Sequence, residues 1–319
     1  MGNYLVTGGC GFIGSHLVDA LCRRGDGVRI IDDLSTGKLA YKPPRVEFIQ
    51  GDVADPRVVA EAMEGVNGCF HLAAVASVER SKSDWLETHR TNLTGTVAVF
   101  DATRRVSPRN PTPVVFASSA AVYGDNPDIP LLEDARLRPL SAYGADKLGC
   151  ELHGFVASHL HQVPCSGLRF FNVYGPRQDP SSPYSGVISV FCNRLKAGRG
   201  IIVDGDGHQT RDFIYVGDVI RALLAAIDHC APTGDVFNIC TGVPTTISDL
   251  ANVIGDLLGI KPNITTGPPR PGDIRTSLGD PSKGRRLLGF AAETGLAAGL
   301  EKTLAWMPES LPCPATIRN

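Results

Sequence analysis

The run SAYGADK places Tyr143 and Lys147 four residues apart, at the start of a stretch whose Leu148, Leu152, Phe155 and Val156 recur with helical spacing. Four residues is about one helical turn, so a phenol and an ammonium group share one face. A free tyrosine holds its proton up to a pH of about 10. A cation beside it favours the phenolate and makes a general base that can later return the proton as an acid. The spacing alone is weak, because chance supplies a Tyr-x-x-x-Lys in roughly one chain in six of this composition and an exposed helix-surface pair reads the same. Upstream, residues 114–117 read as a buried strand that runs into Ser118 and Ser119. Hydroxyls at that end of a parallel strand lie where open α/β sheets bind their ligands.

A second set of residues suits a phosphate. TGGCGFIG, residues 7–14, follows the first apolar run and opens the first helical pattern, with glycines at 8, 11 and 14. Gly8 permits a tight turn, Gly11 lets backbone approach a pyrophosphate, and Gly14 lets the helix pack on the strand. The helix N-terminus then offers N–H groups and a positive dipole end. Asp32 closes the next strand, 18 residues after Gly14. A carboxylate there accepts both hydroxyls of an adenosine ribose and repels a 2′-phosphate, and Asp33 adds to that repulsion. NAD is therefore expected rather than NADP. Asp52, in GDV after the third strand, is placed either to reach the adenine or to form a turn.

The elements that must hold these residues alternate. Residues 4–7, 28–31, 46–49, 69–72 and 114–117 read as buried strands, and 15–24, 56–63 and 85–105 as helices. This predicts a Rossmann-like, doubly wound parallel sheet with helices on both faces. A strand over 165–171 follows the SAYGADK helix. From Asn172 the chain turns rich in Pro, Gly and Ser, which marks a boundary. Residues 187–196 and 216–227 read as helices, 236–239 as another strand, and Ser248 as the cap of a helix through Leu258. The expected units are a dinucleotide-binding domain over 1–172 and 212–240, a smaller α/β substrate domain over 173–211 and 241–310, and a tail over 311–319.

Composition excludes several classes. The 319 residues are 43% apolar and 20% charged, which fits a globular chain. A formal net charge of −2 and no polybasic run give no reason to expect a nucleic-acid or membrane partner. No stretch approaches the roughly 18 apolar residues of a membrane span. MGNYLVTGG has no charged n-region or cleavage site, so no signal peptide is expected. Nine cysteines without a Cys-x-x-Cys pair read as reduced thiols in the cytoplasm. No ligand cluster calls for a metal.

Taken together, TGGCGFIG, IIDDLSTG, GDV, HLAA, Asn92, FASSAAVYG, SAYGADK, LRFFNVYGPRQ, QTRDFIYVGDV and RPGD run in order over nearly the whole chain. This set resembles the extended short-chain dehydrogenase/reductases, specifically the nucleotide-sugar epimerase branch. The resemblance implies that Tyr143 is the base and acid at a sugar hydroxyl, that Lys147 assists it and holds the nicotinamide ribose, and that Ser119, with Ser118 beside it, meets the same oxygen. It adds Phe12, Ile13, Ser35, Thr36, Gly37, Val53, Leu72, Ala73, Ala74, Asn92 and Phe170 to the residues expected around NAD. It implies a homodimer through a four-helix bundle built from residues 85–105 and 142–161.

The same resemblance separates reactions. Family members that eliminate water generally carry Thr followed by an acid at this place, whereas Ser119 here is followed by Ala120 and Ala121. What remains is oxidation and reduction at one carbon, as in a UDP-hexose 4-epimerase. Arg211 and Arg270 match the diphosphate-binding arginines, Asn172 a pyrophosphate contact and Asp273 an acid near the nucleotide ribose. Gly186, Val187, Ile188, Ile202 and Val203 are expected at the uracil. Ser277 stands where plain-hexose enzymes carry a bulky tyrosine, and its small side chain leaves room for an N-acetyl group. UDP-glucose and UDP-galactose are the expected substrates, with access to the N-acetylated pair. A UDP-glucuronate 4-epimerase, with Arg177 or Arg275 on the carboxylate, a net nucleotide-sugar oxidoreductase and a non-catalytic NAD-binding regulator stay open.

Overall fold

The run NYLVT forms the first strand, and its Leu5, Val6 and Thr7 are fully buried, as in a strand covered on both faces. The structure, a computed structural model, describes residues 1–179, 186–269 and 274–308. The strands are β1 (Asn3–Thr7), β2 (Gly27–Asp32), β3 (Glu47–Gln50), β4 (Gly68–His71), β5 (Val114–Ser119), β6 (Cys165–Phe170), β7 (Asn172–Tyr174), β8 (Ile201–Asp204), β9 (Thr210–Tyr215), β10 (Asp235–Ile239), β11 (Pro244–Thr246) and β12 (Ile264–Gly267). The helices are α1 (Phe12–Arg24), α2 (Pro56–Met63), α3 (Val78–Ser83), α4 (Trp85–His89), α5 (Gly95–Val106), α6 (Ala142–His161), α7 (Val187–Lys196), α8 (Val216–Asp228), α9 (Ile247–Leu258), α10 (Ser282–Leu288) and α11 (Leu296–Trp306).

Seven strands, all paired in parallel, form one sheet in the order β10-β6-β5-β4-β1-β2-β3. The order reverses between β1 and β4, which opens a crevice at their carboxyl ends. Leu17, Val18 and Leu21 of α1 with Val219 and Leu223 of α8 cover one face. Val59 and Met63 of α2, Val99 and Phe100 of α5, and Cys150 and Ala157 of α6 cover the other. This is the doubly wound, Rossmann-like sheet that the strand–helix alternation predicts.

After β6 the chain leaves this sheet through β7, which pairs in parallel with β9, while β11 pairs antiparallel on the other side of β9. A second core lies beyond. Phe191 and Leu195 of α7, Ile201 and Val203 of β8, Leu250 and Ile254 of α9, and Leu300 of α11 pack there, against the parallel pair β8 and β12. Residues 282–290, expected with this second unit, go elsewhere: Leu288 and Phe290 pack into the core of the large sheet. The tail over 311–319 lies outside the described residues. Among those described, no helix is long and apolar enough to cross a membrane.

Two local expectations are corrected. The single helix expected over 85–105 is α4, a π-helical turn over Arg90–Thr94, and α5. There the Thr96 hydroxyl and Cys150 thiol donate to the Asn92 carbonyl and interrupt the regular ladder. The helix expected to be capped by Ser248 begins at Ile247. Thr246 caps it, with Oγ1 accepting from the Asp249 N–H at 3.0 Å, and the Ser248 N–H bonds instead to the Gly207 carbonyl.

Candidate active site

The glycine loop turns tightly at Gly8, which stands at φ +69, and a Cβ there would lie 2.8 Å from the backbone of Ala73. At Gly14 a Cβ would lie 2.1 Å from the Gly8 carbonyl oxygen, so only glycine lets α1 close on the loop. Gly11 is different. A Cβ there would meet the Gly8 carbonyl oxygen at 3.2 Å and nothing else within 4 Å. No side chain caps α1 at Gly11 and no acidic residue stands in its first turn, so the N–H groups of Phe12, Ile13 and Gly14 keep a positive end. The cradle fits a diphosphate.

Asp32 is buried at the mouth of this cradle. Its Oδ2 accepts from the Cys10 N–H and its Oδ1 from the Leu34 N–H, both at 2.9 Å. Each oxygen keeps a further lone pair for a ribose hydroxyl. Burial raises its carboxyl above the ordinary range, against the pull of these two bonds. Asp33 closes a turn instead, accepting from the Ser35 N–H and hydroxyl and leaving Ser35 and Thr36 exposed ahead of Gly37. Of the two readings of Asp52, the turn is realised: Oδ1 accepts from the Ala54 N–H, and Oδ2 pairs with Arg90 at 2.5 Å. The Val53 side chain is spent in the core beside α5, and that of Phe170 in the core of the opposite face.

A chain of hydrogen bonds joins β1 to the π-helical turn. The Thr7 hydroxyl accepts from the Leu72 and Ala73 N–H groups at 3.1 Å, so its own proton goes to His71 Nδ1 at 2.8 Å. That sets the tautomer. His71 Nε2–H donates to Thr96 Oγ1 at 2.9 Å, and Thr96 donates to the Asn92 carbonyl at 2.6 Å. The Asn92 side chain accepts from the Val75 N–H and donates to the Val75 carbonyl, which pins the segment around Ala74. His71 escaped the sequence reading, where it was only part of HLAA; its signal was a histidine ending an apolar strand.

Burial and the Lys147 charge push the His71 imidazole down to about 3, so it is neutral when folded. The unfolded chain takes up a proton at this residue below about pH 6.5, and the native chain does not until near 3. His71 therefore costs stability progressively as pH falls across that window. We expect His71→Asn to be less stable at neutral pH. Its deficit should shrink on acidification by up to about 1.4 kcal/mol per pH unit. Urea unfolding at pH 7.5 and 5.5 measures this, and a constant deficit contradicts it.

The chemical cluster forms where α6 begins. Ser141 caps the helix, its hydroxyl accepting from the Gly144 N–H at 3.1 Å. A Cβ on Gly144 would lie 2.7 Å from the Ala121 carbonyl oxygen, so this glycine lets the helix start touch the turn after Ser119. Lys147 is only 4% exposed. Its Nζ donates to the Ala117 carbonyl at 2.9 Å and lies 5.9 Å from the centroid of the half-buried Tyr143 ring. Ser119 Oγ accepts from the Ala121 N–H at 3.1 Å, which leaves its proton to be donated elsewhere. Ser118 does not join them. It is 2% exposed, and its hydroxyl donates to buried Glu151.

On the opposite side, Asn172 is exposed at the start of β7 and Val187 is half-buried at the start of α7. Ile188 and Val203 point into the second core rather than outward. Of the expected pair on β8, strand alternation turns only Ile202, 59% exposed, to the surface. Arg211 Nη1 donates to the Thr210 and Ile274 carbonyls at 2.8 and 2.7 Å, tying β9 to the segment that carries Ser277. The Ser277 N–H donates to the Thr210 carbonyl at 3.1 Å. Arg270 and Asp273 lie outside the described residues. Both arginines considered for a uronate carboxylate are paired: Arg177 with Asp19 and the face of Tyr41, and Arg275 with Asp206.

The NAD dependent epimerase/dehydratase family matches residues 4–240. A UDP-glucose 4-epimerase of Mycolicibacterium smegmatis is 39% identical over 309 residues, spanning 94% of this chain and 96% of that protein. The crystal structure of UDP-glucose 4-epimerase with UDP-glucose from Thermotoga maritima superposes with a TM-score of 0.91 at 34% identity, over 95% of this chain and 98% of its own. UDP-N-acetylglucosamine 4-epimerase from Methanobrevibacter ruminantium M1, in complex with UDP-N-acetylmuramic acid, gives 0.90 at 36% identity, over 96% and 97%. Likeness of this extent runs through the second core as well as the large sheet, and the chain belongs to the NAD dependent epimerase/dehydratase family.

Proposed function

We propose that this chain is an NAD-dependent UDP-hexose 4-epimerase, interconverting UDP-glucose and UDP-galactose and admitting their N-acetylated counterparts. The observation that carries the reading is the convergence of Ser119, Tyr143 and Lys147 at the end of β5, followed by Ala120 and Ala121 rather than by an acid. Such a cluster moves one proton at one oxygen and has no partner for elimination. Bound NAD supplies a reversible hydride acceptor, so no net oxidant is needed. Tyr143 takes the proton of the 4-hydroxyl and later returns it. Ser119 donates to the same oxygen, and Lys147 holds a cation beside the Tyr143 ring. Gly8, Gly11 and Gly14 cradle the cofactor's diphosphate, and Asp32 takes its ribose hydroxyls in preference to a 2′-phosphate.

Arg211 and Arg270 take the substrate diphosphate with Asn172, and Asp273 takes the nucleotide ribose. Small, half-buried Ser277 supports entry of an N-acetyl group. Trp85 and Leu86 of α4 and Leu152, Phe155 and Leu160 of α6 form a neighbouring set of exposed apolar side chains, which supports a homodimer through these helices. The described cysteines are all free thiols, in keeping with the cytoplasm.

The test is to incubate purified protein with single UDP-sugars and no added cofactor. We expect UDP-glucose and UDP-N-acetylglucosamine each to yield the 4-epimer, UDP-glucuronate to yield none, and NAD to be released on denaturation. A requirement for stoichiometric NADPH would assign a reductase, and bound NAD without turnover would assign a regulator.

A further inference from the structure

Three successive residues of β5 are fixed against α6. The Ala117 carbonyl accepts from Lys147, the Ser118 hydroxyl donates to Glu151 Oε1, and the turn that Ser119 begins abuts Gly144. Glu151 lies one helical turn beyond Lys147 and two beyond Tyr143. It also meets Arg169 of β6 in a two-pronged pair: Nε donates to Oε1 at 2.8 Å and Nη2 to Oε2 at 2.7 Å. The side chains are 6% and 3% exposed. Arg169 Nη1 donates onward to the Tyr123 hydroxyl and the Glu133 carbonyl, both at 2.8 Å, and Tyr123 donates to Asn238 Oδ1 at 2.6 Å.

Stability is a poor reason for such a cluster. Taking two charges out of water costs as much as their attraction returns, and apolar replacements of similar volume are often neutral or better. What a planar guanidinium on a carboxylate supplies is direction. An apolar contact would tolerate small slides of the helix, and the two-pronged pair with the Ser118 hydroxyl does not. Reacting groups displaced by about 1 Å can lose on the order of 100-fold in rate.

We propose that Ser118, Glu151 and Arg169 are positioning residues that set the height and rotation of α6 on β5 and β6, and so place Tyr143 and Lys147 against Ser119. The proposal rests on the role given above to Tyr143. The test replaces the pair together, Glu151→Met with Arg169→Met, so that no single charge is left buried. The melting temperature, bound NAD, kcat and KM are measured in the parent and in a Tyr143→Phe background. We expect a folded protein with NAD bound, KM within about twofold, and kcat lowered on the order of 10- to 100-fold. In the Tyr143→Phe background the same replacement should change the rate less than about twofold, because it acts through Tyr143.

Parental kcat in the folded variant overturns the proposal. So does an equal loss in both backgrounds, which is the signature of a general structural effect. If the double variant does not fold, Ser118→Ala removes one hydroxyl and leaves the charges balanced. It should lose several-fold in kcat with the same dependence on Tyr143, and parental kcat there is equally fatal. Full turnover by Tyr143→Phe alone would instead defeat the role of Tyr143, and this proposal with it.

Discussion

Tyr143→Phe should lower kcat on the order of 10²- to 10⁴-fold, the range for loss of a general acid–base group. The fold and bound NAD should survive. The substitution removes one oxygen and leaves the ring that faces Lys147. Lys147 keeps its anchor on the Ala117 carbonyl, and Ser141 still caps the helix. Neither the glycine cradle nor Asp32 leans on this hydroxyl. The loss should therefore fall in kcat, with KM changed little, because proton transfer is an interaction made only in the transition state. Ser119 is a less clean target, since its oxygen also caps the turn that follows it. Steady-state epimerisation, cofactor content and melting temperature decide the matter together. A well-folded variant with near-parental turnover would remove Tyr143 from the chemistry.

What could be read from the sequence was local or repeated. The glycine loop is legible because each glycine answers a short-range backbone need, and the sheet because strands and helices alternate. The failures come from one-residue questions and from distant partners. Ser118 and Ser119 are identical in type, yet alternation lets only one face the ligand, and choosing it requires the register of β5 on β6. The same slip separates Ile202 from Val203. Thr246 and Ser248 can both cap a helix, and where the first turn begins decides between them. His71 and Arg169 are polar residues whose partners lie 25, 64, 46 and 18 positions away, so nothing nearby in the chain announces them. The π-helical turn has no propensity signature, and one of the donors to its Asn92 carbonyl, Cys150, lies 58 positions away.

Gly14→Ala and Gly11→Ala should fail in different ways. At Gly14 a Cβ would lie 2.1 Å from the Gly8 carbonyl oxygen, 2.8 Å from its carbon and 2.9 Å from Gly9 Cα. All three are backbone atoms, so no rotamer change relieves the clash. Gly8 cannot retreat either, because it is held against Ala73. The strain must lift α1, whose Leu17, Val18 and Leu21 are core residues. We expect at least the roughly 1–3 kcal/mol typical of overpacking, with cofactor and activity lost. Gly11 has φ −78 and ψ −177, a conformation open to alanine, and its Cβ would meet one atom at 3.2 Å. The folded chain alone gives little reason for glycine there; what approaches it from outside does. Gly11→Ala should keep a melting temperature near that of the parent without cofactor, and bind NAD on the order of 10- to 100-fold more weakly, as a misplaced methyl in a close-fitting site does. Added NAD should then raise its melting temperature less than the parent's at equal concentration. Equal NAD content in Gly11→Ala and the parent would mean that the diphosphate does not pass over Gly11.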